Sequence, residues 1–134
     1  VIVADASAVI ELLLGRPTAE GLVGQLTDDP TLELAAPHLV DAEVGQVLRR
    51  FELRGELDEA AARAALGDLT DLPIVRYPDG PLLARAYDLR HNLTFYDAVY
   101  LALAEMLDAQ FVTADAALAG VPGALASVWL LGGE

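Results

Sequence analysis

The stretch Thr94-Phe95-Tyr96-Asp97-Ala98-Val99-Tyr100-Leu101-Ala102-Leu103-Ala104 carries apolar residues on every side of a helical projection. From residue 95 to residue 107 only Asp97 and Glu105 are charged. A helix without a polar face is covered on most sides. It leads into Gln110-Phe111-Val112-Thr113, an apolar run that reads as a strand. The acid near the head of the helix needs a reason, because a lone buried charge is costly. Asp97 is exposed where the helix emerges, held by a partner, or part of a capping box, Thr94-x-x-Asp97, favoured by the helix dipole.

Reading outward from this stretch, strands alternate with helices along the chain. Residues 1–4, with two valines and an isoleucine, read as a buried strand. A helix follows over 7–14, stopped by Gly15 and Pro17, and a second short one over 18–26. Residues 32–36 alternate and meet Pro37, which predicts a strand. Apolar residues at 40, 44, 47, 48 and 51 give helical spacing over 38–54, closed by Gly55. Helices are further predicted over 57–72, 80–90 and 95–108, and strands over 73–77, 110–113 and 127–131. This alternation predicts an α/β class with a mostly parallel central sheet covered on both faces. At 134 residues the chain, 1–134, is expected to form one domain.

Composition narrows the chemistry. Cysteine is absent, which excludes a disulfide framework, thiolate metal sites and a cysteine nucleophile. No apolar run approaches the roughly 20 residues of a membrane span, and the opening Val1-Ile2-Val3-Ala4-Asp5 lacks the basic region of a secretory signal. A cytoplasmic location is the expectation. The formal net charge is −13, and all eight basic residues are arginine. Such a surface argues against broad electrostatic capture of nucleic acid. An RNA substrate stays compatible if metal ions neutralise the site and a few arginines hold phosphates. Arg49, Arg50 and Arg54, close together in one predicted helix, are the local candidates, although solvated helix-face charges are the commoner use of such residues.

In parallel sheets, sites form beyond the carboxyl ends of the strands. Asp5 directly follows the first strand, and Asp115 follows the strand 110–113 by one residue. Each alone reads as a helix cap. The helix bearing Asp97 runs antiparallel to the strand after it, so its head belongs at the same edge. Three acids at one edge point to a hard-cation site. The helix over 38–54 also begins near that edge and offers Asp41 and Glu43; projection does not choose between them.

Taken in order, Asp5-Ala6-Ser7-Ala8, Glu43, Tyr96-Asp97-Ala98-x-Tyr100-Leu101-Ala102-Leu103-Ala104 and Thr113-Ala114-Asp115 closely resemble the PIN-domain nucleases, and among them the VapC-type toxins of bacterial toxin–antitoxin pairs. The resemblance covers essentially the whole chain. It implies a three-layer α/β/α fold and Mg²⁺-dependent (or Mn²⁺-dependent) ribonuclease activity. It also implies Asp5, Glu43, Asp97 and Asp115 as the catalytic and metal-binding set, and so selects Glu43 over Asp41. Ser7 and Thr113 match hydroxyl positions that orient carboxylates or ion-bound water. One departure is the run Ala116-Ala117-Leu118, where many relatives carry a further acid or basic residues. As partners the resemblance implies an RNA substrate, a VapB-type antitoxin that sends a basic side chain into the acidic site, and a homodimer.

The residue types suit this chemistry. Phosphodiester hydrolysis needs an activated water and a stabilised leaving oxygen, which two ions about 3.5–4 Å apart can provide. Mg²⁺ and Mn²⁺ prefer oxygen ligands, so His38 and His91 are read as structural. Clustered carboxylates without an ion repel one another, so Asp5→Asn is expected to be neutral or stabilising in chelator. Gly-rich phosphate loops are absent, and a receiver-type site lacks its lysine. The remaining rival is a PIN-like binding module that keeps the acids without turnover.

Overall fold

The computed structural model describes residues 1–133. The strands β1 (Ile2–Ala4), β2 (Leu34–Pro37), β3 (Ile74–Tyr77), β4 (Gln110–Thr113) and β5 (Val128–Leu130) form one sheet in the order β3-β2-β1-β4-β5. Every pairing is parallel, so the expected mostly parallel sheet is parallel throughout. The helices are α1 (Ala6–Leu13), α2 (Glu20–Asp28), α3 (Leu39–Leu53), α4 (Glu59–Asp71), α5 (Leu83–Asp88) and α6 (Phe95–Met106).

Handedness sorts the helices into layers. Parallel strands are joined by right-handed crossovers. From β1 the chain steps outward to β2 and then β3, which puts α1 to α4 on one face. It then reverses from β3 to β4, past β2 and β1, which sends α5 and α6 to the other. The packing agrees: α1, α3 and α4 touch one another, while α6 lies on β1, β2 and β4 with α5 against it. The result is the three-layer α/β/α arrangement.

The central strands are small and apolar on both faces. Val3, Ala4, Ala35, Ala36, Phe111 and Val112 are all fully buried. Alanines in β1 and β2 let helices approach the sheet closely. In α6 every residue from Ala98 to Ala104 is buried, which is the burial that an all-round apolar helix demands.

Local chemistry sets most boundaries. The side chain of Asp58 caps α4 by accepting from the Ala61 N–H. Gly55, with φ +76°, ends α3 in the left-handed conformation that glycine adopts without penalty. Two expected helices begin differently. The segment predicted over 18–26 opens as a 3₁₀ turn at Pro17–Ala19, and the one over 80–90 opens as a 3₁₀ turn at Gly80–Leu82 before the short α5. Both turns contain a proline, whose missing N–H and fixed φ suit a first turn. Strand β2 begins two residues later than expected and ends one later, at Pro37; His38 N–H then donates to Tyr77 O at 2.8 Å. No helix is long and apolar enough to cross a membrane among the described residues.

Candidate active site

The chain leaves β1 toward β2 on one face and arrives at β4 from the other, so the strand order switches between β1 and β4. A crevice opens beyond the carboxyl ends of strands at such a point. Register fixes its contents: Ala4 lies opposite Val112, which brings Asp5 beside Thr113. Asp5 is buried, with 5% exposure, and its carboxylate is heavily engaged. Ser7 Oγ donates to Oδ1 at 2.6 Å, the Ala8 N–H donates to Oδ1 at 2.9 Å, and Thr113 Oγ1 donates to Oδ2 at 2.6 Å. The two hydroxyls tie the strands further. Ser7 Oγ accepts from the Ala114 N–H at 2.8 Å, and Thr113 Oγ1 from the Asp115 N–H at 3.0 Å. Helix capping and a place in the crevice therefore coexist in one carboxylate. This arrangement also changes the expectation for Asp5→Asn: an amide cannot accept from all three donors, so the replacement should destabilise the chain even in chelator.

Asp97 stands in the first turn of α6. Thr94 Oγ1 accepts from the Asp97 N–H at 3.2 Å, but the reciprocal bond, from the Thr94 N–H to the carboxylate, is not made. Only half of the capping box exists, and the carboxylate lines the crevice with the Thr94 hydroxyl close by. Asp115, exposed, caps the 3₁₀ turn Ala116–Leu118 by accepting from the Ala117 N–H at 3.0 Å. On α3 the two candidates part company. Asp41 is held by Arg76 in a two-point ion pair, at 2.8 and 2.9 Å, whereas Glu43 faces inward.

Asp5, Glu43, Asp97 and Asp115 thus line one cavity of about 310 Å³, with Ser7 on its wall. Of the three arginines proposed from sequence only Arg50 reaches it; Arg49 lies outside, and Arg54 is exposed and turned toward Glu56 at 4.0 Å. Arg16, Glu11, Phe51 and Tyr100 also line it and escaped the sequence reading. Arg16 pairs with Glu11 at 3.4 Å and lies 5.3 Å from the centroid of the Phe51 ring. Its place beside a helix stop, Gly15 and Pro17, reads only as a loop. Tyr100 falls in an apolar run where core is the natural assignment.

Burial raises the carboxyls of Asp5, Glu43 and Asp97 above their ordinary values. For Asp5 its hydrogen-bond donors oppose the rise, and the charge of Asp97 adds to it. For Glu43 the nearby Tyr100 hydroxyl and Arg50 oppose it, while Asp97 and Asp5 add. For Asp97 Thr94 opposes it and Asp115 adds. Burial also pushes the Tyr100 phenol far up, so it stays neutral. Tyr100 comes close enough to influence Glu43 without closing a hydrogen bond: its hydroxyl and Glu43 Oε1 are both buried without a partner.

An orphaned buried carboxylate oxygen asks for a ligand. The all-oxygen donor set suits a hard divalent cation. Among the described residues no three acids already form a coordination group.

A pH dependence follows. A carboxyl raised in the folded chain binds more protons there than in the unfolded chain, so stability falls as pH rises. For these three groups the stabilisation is complete below the ordinary carboxyl range and is lost as pH passes through their raised values. In chelator the melting temperature should be higher near pH 5 than near pH 7.5, and Asp97→Asn should flatten this slope. An unchanged slope in that variant would contradict the electrostatic account.

Comparison with known proteins bears on the family and the fold. Residues 2–124 match the PIN domain family. The chain is 46% identical over 122 residues to "Ribonuclease VapC1" of Mycobacterium tuberculosis, covering 90% of each. A crystal structure from Pyrobaculum aerophilum superposes with TM-score 0.68 at 28% identity, covering 95% of this chain and 87% of that one. A toxin–antitoxin complex from Klebsiella pneumoniae shares the fold at TM-score 0.64 and 22% identity, covering 96% of each chain.

Proposed function

The chain belongs to the PIN-domain family, and on that premise we propose that it is a metal-dependent endoribonuclease, the toxin of a VapBC-type toxin–antitoxin pair. The observation that carries this reading is the convergence of Asp5, Glu43, Asp97 and Asp115 on one cavity at the switch point of the sheet, with Arg16 and Arg50 at its wall. Asp5 and Asp97 would hold the ion, with Glu43 and Asp115 completing the set. Mg²⁺, or Mn²⁺ in its place, supplies an activated water and stabilisation of the leaving oxygen.

The remaining work belongs to the protein. Ser7 and Thr113 lock the Asp5 carboxylate in one orientation, which is the usual task of outer partners at a metal site. Oδ2, with one donor, keeps acceptor capacity toward the cavity. Arg16 and Arg50 offer guanidinium groups to the flanking phosphates, which compensates locally for a chain of net charge −13. Tyr100, neutral, gives Glu43 a polar neighbour in a buried wall without adding charge. The acidic surface suits a VapB-type antitoxin that presents a basic segment. A homodimer and a cytoplasmic location complete the reading.

Incubation with total RNA and Mg²⁺, with mapping of the cut ends, tests it; cleavage that persists in chelator, or none at all, overturns it. For the metal, calorimetry should show Mn²⁺ binding to the wild type and weakened binding to Asp97→Asn. Equal binding by both proteins removes Asp97 from the ligand set.

A further inference from the structure

Beside the carboxylate cavity lies a second hollow, of about 390 Å³, lined by Leu39, Ala42, Gln46 and Tyr96. Glu43, Val47 and Arg50 border both, so the two hollows adjoin. Leu39, Ala42 and Val47 make its floor apolar. Tyr96 precedes Asp97 directly, in the exposed first turn of α6, and is 62% exposed, so its ring face is open to a ligand. Neither the Tyr96 hydroxyl nor the Gln46 amide makes a hydrogen bond among the described residues, so both remain free to contact a ligand. An aromatic platform, a free side-chain amide and an arginine toward the reacting centre are the elements that recognise an unpaired base.

We propose that this hollow is a nucleobase subsite: the base next to the scissile phosphate stacks on Tyr96, and Gln46 reads its edge. These two residues then decide where RNA is cut. The proposal rests on the ribonuclease reading above. Arg50, bordering both hollows, bridges the seated base and the phosphate held at the carboxylates. The amide of Gln46 can both donate and accept, so it can discriminate among bases, whereas stacking is tolerant of sequence.

The test uses the full chain and short single-stranded RNAs carrying 2-aminopurine at each position in turn, with Ca²⁺ in place of Mg²⁺. Quenching is expected at one position for the wild type and for Tyr96→Phe. In Tyr96→Ala, binding at that position should weaken by about 5- to 150-fold, the range of one base–aromatic stack. Randomised RNA in Mg²⁺ should give altered cut sequences with Gln46→Ala, and both variants should raise KM more than they lower kcat. Unchanged cut sequences and KM in both variants overturn the proposal, as does the absence of position-specific quenching. It is also overturned if Tyr96→Ala changes the oligomeric state while quenching persists, because the face then serves a protein partner. Quenching that persists without any cleavage in Mg²⁺ removes the ribonuclease reading and leaves the base site standing.

Discussion

Asp97→Asn is expected to lower RNA cleavage more than about 100-fold while the chain stays folded. Loss of an outer partner at a metal site already costs about 10- to 100-fold, and Asp97 is proposed as a ligand itself. The fold should tolerate the change because capping here runs from the Asp97 N–H to Thr94 Oγ1, a bond that asparagine retains. Removing the charge also relieves repulsion with Asp5, Glu43 and Asp115. Its melting temperature in chelator should therefore hold or rise. Thr94→Ala is the complementary variant. It removes the cap, costs about 0.5–2 kcal/mol of stability, and should leave most of the cleavage. Circular dichroism melts and cleavage rates on both variants decide the matter. If Thr94→Ala abolished cleavage and Asp97→Asn did not, the Asp97 carboxylate would have no part in the reaction.

Thr113→Val should be the most damaging change at a residue that is not itself a proposed ligand. The hydroxyl of Thr113 is fully buried, donates to Asp5 Oδ2 and accepts from the Asp115 N–H. Valine keeps the shape and strand preference but deletes both bonds. Stability should fall by about 1–3 kcal/mol, the cost of leaving buried polar groups unpaired. Cleavage should fall about 10- to 100-fold, because Asp5 loses one of the groups that orient it. Thr113→Ser, which restores the hydroxyl, should recover most of the activity. If serine fails where valine fails, the methyl packing of Thr113 matters and its hydroxyl does not.

The identity and order of the elements were legible in the sequence because each is encoded locally. Helical spacing in α3 and caps at Asp58 and Thr94 act over a few residues, and so do stops at Gly15 and Gly55. Asp5, Asp97 and Asp115 could be assigned to one edge of the sheet from chain direction alone, since a parallel sheet puts the ends of its strands and the heads of its helices together. The choice of Glu43 over Asp41 came from resemblance, not from periodicity. In the structure the difference is a contact from β3: Arg76, 35 residues away in the chain, takes Asp41 and leaves Glu43 facing the cavity. No local pattern records that pairing.

Tertiary structure alone also decided how Asp5 is held. Its partner Thr113 is 108 residues away, and the two meet only because β1 and β4 are neighbours with Ala4 opposite Val112. The same is true of Arg16, whose loop position in sequence gives no hint that its guanidinium reaches the Phe51 ring and the wall of the cavity. It applies equally to Arg49, which the turn of α3 directs away from the cavity, and to Arg54, which lies past the end of α3 beside Glu56. Backbone preference and apolar period act between residues that are near in sequence, and they specified the scaffold and which edge would carry the acids. Which side chains meet across that edge, and which are already taken, depends on strand register and helix rotation, and those are settled only when the whole core packs.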